Sequence, residues 1–436
     1  MSVTLAIRGG TPVVPKALHR QWPVITADDK AAVLEVLEYG VLNGPYAPQV
    51  KALEEDWARY CDVRFALTTN SGTAALHTAV AAGGIGTGDQ VLTTAFTFLA
   101  TALAVLHNNA VPVFVDIDPR TYNIDPDKIE ERINSRTKAI IPVHIHGVPA
   151  DMDRIQVIAK KHNLLVIEDA AQAHGSTYKG RKVGGIGDMG CFSFQASKNL
   201  PGGEGGMFVT NHGEIHERAN RFRMFGEDIR ESDKKAFDPA HPLDGAREYN
   251  SLMMGWMYRT NELNAALCRS QLHRLDATLA NTRQNAAFLT EHLAQIPGIT
   301  PPYVPAGCSS GFYQYRIRLN PRAAGSDLPP RAFRAKVLAA LKAEGVEVSL
   351  WQTVPVPGQT LFQERKGYGL SCPWKCPLGD EVRYDLAEYP ETRALLDDSM
   401  VIGSHSYPLF PQTLELMRKY VEAFQRVFSC MDQVLA

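Results

Sequence analysis

A lysine and an aspartate each follow an apolar segment of the chain. Lys198 lies between the apolar residues 190–194 and a glycine-rich run at 202–206. Asp169 comes just after a second apolar segment, residues 164–167. The cofactor pyridoxal phosphate (PLP) needs such a pair, because an amine forms a Schiff base with its aldehyde and a carboxylate holds its ring nitrogen protonated. The two residues therefore predict PLP chemistry, with Lys198 and Asp169 as catalytic residues.

Small residues and hydroxyl groups occur at residues 70–76, where an apolar segment meets a helical one. Free backbone N–H groups and the positive end of the helix make such a junction a phosphate site. The alternative is an ordinary capped helix, since Ser and Thr favour N-caps. Taken alone, Asp169 could likewise cap a turn and Lys198 could be a solvated loop lysine. The three features together, in this order along the chain, favour PLP.

Residues 68–210 alternate short apolar segments with amphipathic ones. This pattern predicts an α/β fold with a mainly parallel central sheet that helices cover on both faces, and ligands bind at the carboxyl ends of such strands. Helices are predicted near residues 126–133 and 152–162 and over 262–293. The polar, turn-rich residues 226–250 predict a long excursion from the core. We expect a large PLP-binding domain at residues 1–270 and a smaller α+β C-terminal domain at residues 271–436.

Composition narrows the class of protein. A chain of 436 residues is long enough for a large domain with a smaller companion. Its formal net charge of −2 gives no general attraction to nucleic acid or to an anionic membrane. The seven cysteines are scattered, unlike a disulfide framework, and no window approaches about eighteen uninterrupted apolar residues. We expect a soluble, cytoplasmic protein that binds neither nucleic acid nor a membrane.

Several segments in the same order carry a resemblance to a known family. The chain resembles the DegT-like family of PLP-dependent sugar and cyclitol aminotransferases, which adopt the fold-type I transferase fold. The matching segments are residues 70–76, 96–101, 113–118, 168–175 and 192–194, Lys198, and residues 203–206. The resemblance implies an enzyme, a PLP cofactor and a homodimer with shared active sites.

The resemblance also implies individual roles. Lys198 would carry the cofactor and shuttle a proton, Asp169 would pair with the ring nitrogen, and Gln172 would lie near the phenolic oxygen. Phe98 would stack on the ring face; the alternative is a core phenylalanine. The residues that would hold the phosphate are Gly72, Thr73, Ala74 and Ser193.

One element departs from the family pattern. Members usually carry an asparagine in a Gly-x-Asn-x-Arg stretch that reaches the partner subunit's phosphate, and this chain has Met257 at that position. Asn250 or Arg259 could substitute for it. The segment that follows, residues 261–267, fits the family, so a homodimer is still expected.

Two other patterns admit a competing interpretation. His144 and His146 alternate on a predicted strand and could ligate a metal, but no third ligand has clear spacing, so no metal site is predicted. Cys372 and Cys376 have three residues between them, unlike the two of redox and zinc motifs. A loop that caps the substrate pocket is the favoured interpretation of the cysteine segment.

The substrate is suggested only by the resemblance. Gln195 and the segments 8–12 and 22–23 are similar to those of glutamine-dependent scyllo-inosose aminotransferases and amino-hydroxybenzoate synthases. This branch implies transfer from L-glutamine or L-glutamate to a keto-cyclitol, in aminocyclitol or antibiotic-type secondary metabolism. Gln195 could instead be only a polar neighbour of the pocket. The alternatives are a nucleotide-sugar aminotransferase, in which Lys234, Lys235 and Arg247 could bind a diphosphate, an aromatising synthase, and a PLP-binding regulatory protein.

Overall fold

The structure is a computed structural model that describes residues 4–44, 47–228, 250–369, 371–375 and 382–436. The helices are α1 Ala27–Tyr39, α2 Pro48–Cys61, α3 Gly72–Ala82, α4 Ala100–His107, α5 Met152–His162, α6 Gly213–Phe222, α7 Glu262–Leu272, α8 Leu275–Leu293, α9 Pro330–Ala343, α10 Thr360–Gln363, α11 Pro390–Asp398, α12 Leu414–Ser429 and α13 Met431–Leu435. The strands are β1 Phe65–Thr69, β2 Gln90–Thr94, β3 Val111–Val115, β4 Thr137–Ile141, β5 Leu165–Asp169, β6 Thr177–Tyr178, β7 Arg181–Lys182, β8 Met189–Ser193, β9 Gly206–Thr210, β10 Ile299–Thr300, β11 Cys308–Ser309, β12 Tyr315–Leu319, β13 Val348–Ser349 and β14 Ser399–Ile402.

The central sheet has seven strands in the order β1-β9-β8-β5-β4-β2-β3. Strand β9 runs antiparallel to both of its neighbours, and the other pairs are parallel. Apolar clusters pack on both faces of the sheet, as near-continuous apolar strands require. The predicted α/β fold with a mainly parallel sheet is confirmed.

The register between β5 and β8 positions the candidate site. Asp169 pairs with Cys191, so β5 and β8 end at the same edge of the sheet. The chain leaves β8 at Ser193 and turns through Lys198 before it returns as β9, which begins at Gly206. Asp169 and Lys198 therefore lie at the same edge of the sheet, because β5 and β8 are neighbouring strands.

A second, antiparallel sheet has the order β10-β12-β14-β13 and its own apolar core. Leu5 and Val14 belong to this second core, although they lie near the start of the sequence, far from the strands of the second sheet. Helix α8 contributes to both cores, with Leu275 and Leu279 in the first and Leu289 in the second. The division at residue 270 stays a prediction.

Three local predictions were wrong. Residues 126–133 form two short 3-10 turns, Pro126–Lys128 and Glu130–Arg132, in place of a helix. The predicted helix over 262–293 is two helices, because the chain breaks at His273 and Arg274 between α7 and α8. His146 lies in a 3-10 turn with φ of 55°, so the two histidines do not alternate on a strand. Among the described residues, no helix has both the length and the apolar character needed to cross a bilayer.

Candidate active site

A cavity of about 370 Å³ lies at the carboxyl edge of the central sheet. Seven of the predicted site residues line it: Gly72, Thr73, Phe98, Asp169, Gln172, Ser193 and Lys198. The cavity therefore brings together residues that are far apart in sequence. Ala74 and Asn250 do not line it.

Asp169 ends β5 and is a buried carboxylate with few partners. Its Oδ2 accepts a hydrogen bond from Thr101 Oγ1 at 2.7 Å, and its Oδ1 accepts one from the Ala171 N–H at 3.1 Å. No cationic side chain of the described residues lies within ion-pair distance of it, and burial raises its pKa above the usual value for aspartate. A protonated pyridine nitrogen is a ligand group that would offset this burial, so Asp169 fits PLP.

The neighbouring Glu168 is fully engaged by the protein. Its carboxylate accepts hydrogen bonds from the backbone N–H groups of Gly184, Ile186 and Gly187 and from His144 Nε2 at 2.9 Å. Adjacent residues of a strand point to opposite faces, which gives the two carboxylates separate surroundings. Glu168 is structural, and Asp169 is the carboxylate with acceptor capacity to spare.

Lys198 lies in the loop between β8 and β9. Its Nζ lies 4.3 Å from the centroid of the Tyr313 ring, a cation–π distance. Its backbone is fixed on both sides, because its N–H donates to Gln195 O at 2.8 Å and its carbonyl accepts from Trp22 Nε1 at 3.1 Å. The amine therefore extends into the cavity from a constrained backbone, so it is not a solvated loop lysine.

The N-terminus of α3 forms another wall of the cavity. Ser71 is the N-cap, and its Oγ accepts from the Ala74 N–H at 3.1 Å. A Cβ on Gly72 would lie 2.7 Å from Ser193 Cβ, so only glycine allows the helix to approach β8 this closely. The capped-helix interpretation and the phosphate interpretation are compatible. The cap leaves the N–H groups of Gly72 and Thr73 free to bind an anion. The Ala74 N–H is already used by Ser71.

Gln172 is oriented by His146, which a residue of the second sheet holds in turn. Its Oε1 accepts from the His146 N–H at 2.8 Å, which leaves its amide nitrogen to donate to a ligand. His146 Nε2 in turn accepts from Arg316 Nε at 2.9 Å, and Arg316 belongs to β12. Burial lowers the pKa of Arg316 to about 10 and holds the pKa of His146 well below its usual value. The second sheet thus supports the cofactor cavity through this chain of contacts.

Phe98 is 59% exposed, although Phe96 and Thr97 beside it are buried. The core interpretation of Phe98 is therefore wrong, and its ring is available to a ligand. The histidines also have defined partners: His144 Nδ1 accepts from the Ala150 N–H at 3.0 Å while its Nε2 donates to Glu168. No cluster of three metal-ligating side chains occurs among the described residues.

The residues expected to reach a partner subunit lie on the surface. Asn250 and Met257 are exposed, and Arg259 is half-buried. The Asn70 N–H donates to the carbonyl of Tyr258 at 2.6 Å, so the 255–259 segment borders the N-terminus of α3. Lys234, Lys235, Arg247 and Cys376 lie outside the described residues.

Sequence patterns did not indicate several residues that line the cavity. Tyr313, Trp351 and His405 come from the second sheet and its connections, far along the chain from Lys198. No local periodicity marks them, because their role depends on how the second sheet packs on the first. Thr101 could have been found, since it lies one helical turn after Phe98 in a segment already matched to the family.

The fold and this cavity together define a fold-type I, PLP-dependent aminotransferase. The cavity supplies an amine, a buried carboxylate and a helix N-terminus, which are the groups that PLP requires. The sequence profile of the DegT/DnrJ/EryC1/StrS aminotransferase family matches residues 23–399, and the chain belongs to that family.

Two relatives and one solved structure show the range of this family. A putative L-glutamine:3-amino-2,3-dideoxy-scyllo-inosose aminotransferase of Streptoalloteichus tenebrarius is 37% identical over 351 residues, which is 80% of this chain and 80% of that protein. The GDP-perosamine synthase of Caulobacter vibrioides is 38% identical over 326 residues, 74% of this chain and 81% of that protein. The crystal structure of 3-amino-5-hydroxybenzoic acid synthase superposes with a TM-score of 0.79 at 27% identity, covering 95% of this chain and all (100%) of that chain.

Proposed function

We propose that this enzyme transfers the amino group of L-glutamine or L-glutamate to a keto-cyclitol or a related carbocycle, in aminocyclitol-type metabolism. The two relatives are almost equally identical to this chain, so identity does not distinguish a cyclitol from a nucleotide-linked sugar. The charged residues that line the cavity favour the cyclitol. Among the described residues that line it, Lys198 is the only lysine and no arginine occurs. A diphosphate would have no cation there beyond the catalytic amine, whereas an uncharged ring would need none.

The proposed roles follow from the contacts of each residue. PLP, when bound, supplies an aldehyde that accepts an amino group from the donor and passes it to the ketone. Lys198 would hold the cofactor and then move a proton, Asp169 would pair with its ring nitrogen, and Gln172 would donate to its phenolic oxygen. Phe98 would lie against the ring. Gly72, Thr73 and Ser193 would contact the phosphate, with Ala74 contributing to the same helix end.

The two halves of this reaction can be observed separately. We expect glutamine or glutamate to change the absorption of the PLP-loaded enzyme to that of pyridoxamine phosphate, and an inosose to restore it, with ping-pong kinetics. A panel of inososes, dehydroshikimate-like rings and nucleotide-linked ketohexoses, offered to the pyridoxamine form, identifies the ketone. Faster conversion of a nucleotide ketohexose would favour the competing sugar aminotransferase. No response to any donor would favour a regulatory protein.

We also propose that the enzyme is a homodimer whose cavities lie at the interface, with Asn250 or Arg259 reaching the partner's phosphate. An apolar surface supports this proposal: Phe225, Leu252, Met254, Trp256 and Met257 are all exposed, and Met254 is 79% exposed. The backbone N–H of Phe225 donates to the Trp256 carbonyl, so these residues belong to one surface. It borders the cavity through the Asn70–Tyr258 contact.

Met254→Asp should shift the protein toward the monomer and reduce activity in parallel, because a carboxylate would be buried in an apolar interface. Sedimentation velocity over a dilution series measures the first effect, and a steady-state assay at matched concentrations measures the second. Val157→Asp is the control, because Val157 is 68% exposed and lies on α5, a helix that carries none of these surface residues. A fully active monomer would contradict the proposal.

A further inference from the structure

A second cavity, of about 320 Å³, adjoins the cofactor cavity. It lies among strands β12, β13 and β14 and the turn that follows β14. Ser197, Tyr313, Trp351 and His405 line both cavities. We call this second space the side cavity. Its volume is at the lower end of the range for small-molecule sites, so it can hold a small ring or part of one.

The side cavity is lined by neutral groups. Tyr313 and Trp351 supply aromatic surface, and Ser349, Ser404 and Ser406 supply small polar groups. No aspartate, glutamate, lysine or arginine is among the described residues that line it. Burial, reinforced by the charge of Lys198, lowers the pKa of His405, which keeps that imidazole neutral at physiological pH. These groups suit an uncharged ligand with both C–H and hydroxyl groups.

Gln314 stands out among the lining residues because its side-chain oxygen has no hydrogen-bond partner among the described residues. It is 9% exposed, and its Oε1 is buried without a partner among the described residues. Two of the serines nearby already have protein partners: Ser349 Oγ donates to the Gly403 carbonyl at 2.8 Å, and Ser404 Oγ accepts from the Tyr407 N–H at 3.2 Å. An unpaired buried amide oxygen is costly, and a ligand hydroxyl would satisfy it.

Residues at the border of the two cavities have a defined order of hydrogen bonds. Ser197 Oγ donates to Gln195 Oε1 at 2.6 Å and lies 3.1 Å from the Tyr313 hydroxyl. Because the Ser197 proton is committed to Gln195, the Tyr313 hydroxyl is the donor in the second contact. Gln195 is therefore fixed through its oxygen, and its amide nitrogen remains for a ligand. Gln195 and Tyr313 line the cofactor cavity together with Lys198, and Tyr313 also lines the side cavity.

We propose that the side cavity binds the part of the ketone substrate that is remote from the carbonyl, and that this part is an uncharged, polyhydroxylated carbocycle. Gln314 accepts a ring hydroxyl, and Trp351 packs against the C–H face of the ring. This inference rests on the proposed function and deepens it, since it assigns the cyclitol to a particular part of the site. Gln314 is a specificity-determining residue in this assignment and takes no part in the donor half of the reaction.

Gln314→Leu tests the inference, because leucine keeps much of the side-chain volume and removes the amide. We expect KM for scyllo-inosose to rise about tenfold or more, the equivalent of one lost hydrogen bond to a buried group. The rate at which glutamine converts the PLP-loaded enzyme should stay within about twofold of wild type, since donor binding does not use Gln314. Gln295→Leu, an exposed position after α8, is the control for the same substitution elsewhere.

A binding measurement keeps the test independent of turnover. Myo-inositol, a polyol without a ketone, should bind wild-type enzyme in saturation-transfer NMR and bind the Gln314→Leu variant more weakly. If the leucine variant fails to fold by circular dichroism, Gln314→Asn, which shortens the same amide, replaces it in both measurements.

The outcomes separate the two proposals. Unchanged KM for scyllo-inosose and unchanged inositol binding would overturn the side-cavity assignment while leaving aminotransfer intact. A raised KM for glutamine with an unchanged KM for the ketone would assign the cavity to the donor and overturn the inference too. If wild-type enzyme aminates no cyclitol and binds no inositol, the cyclitol function itself is wrong.

Discussion

Replacing Lys198 with alanine should abolish turnover without unfolding the enzyme. The variant lacks the amine that would hold the cofactor and move the proton, and we expect kcat to fall by about 10⁴-fold or more, as for other catalytic groups that act as a unit. The fold should persist because the Lys198 side chain extends into a cavity, and its backbone contacts to Gln195 and Trp22 remain in the variant. Steady-state kinetics and urea unfolding measure the two effects.

Lys198→Arg is the matched variant, because it keeps a positive charge near the Tyr313 ring and cannot form the Schiff base. Borohydride reduction of PLP-loaded protein should label wild type at Lys198 and label neither variant there. Normal turnover in either variant, or labelling at another lysine, would show that Lys198 is not the residue that forms the Schiff base.

The sequence alone was sufficient to predict the candidate site residues that lie at the ends of neighbouring strands. Asp169 ends β5 and Lys198 follows β8, and the apolar segments before each residue locate those strand ends directly. The helix N-terminus at Gly72 was predictable for the same reason, because Ser71 is a good N-cap after an apolar strand. These predictions needed only local patterns and the rule that parallel strands present their carboxyl ends on one edge.

The features that the sequence did not predict depend on contacts between distant parts of the chain. Arg316 holds His146, and His146 orients Gln172, yet 170 positions separate the first pair. The His144–His146 pattern looked like a strand because it continues β4, whereas the chain turns there so that His144 can reach Glu168. Polar residues that are buried with specific partners carry no periodic signal, which is why the side cavity was not anticipated.

Asp169→Asn should reduce activity greatly while leaving the cofactor-free protein at least as stable as wild type. The asparagine oxygen can still accept from the Ala171 N–H, and its amide nitrogen can donate to the Thr101 hydroxyl in place of the bond that Oδ2 accepts in wild type. Asparagine cannot pair with a protonated ring nitrogen, so we expect kcat to fall by about 10³-fold. Stability should not fall, because the carboxylate is buried without a cation among the described residues.

The pH dependence of unfolding distinguishes this explanation from general damage to the site. Burial raises the pKa of Asp169 in the folded, cofactor-free protein above its value in the unfolded chain. The folded state therefore binds the proton more tightly, and Asp169 lowers the free energy of unfolding progressively as pH rises from the usual aspartate range through the raised pKa. The advantage of Asp169→Asn over wild type should grow over that interval, which urea unfolding at a series of pH values measures.

Glu168→Gln is the matched control, since it makes the same change one residue earlier on β5. The Glu168 carboxylate accepts three backbone N–H groups and the His144 Nε2–H, and a carboxamide would place its own N–H groups against some of these donors. We expect this variant to lose roughly 3 kcal/mol of unfolding free energy. Equal losses of stability in Asp169→Asn and Glu168→Gln would contradict the separation of roles. A large loss of activity confined to the Asp169 variant would mean that the cavity keeps a buried charge for its chemistry at the expense of its stability.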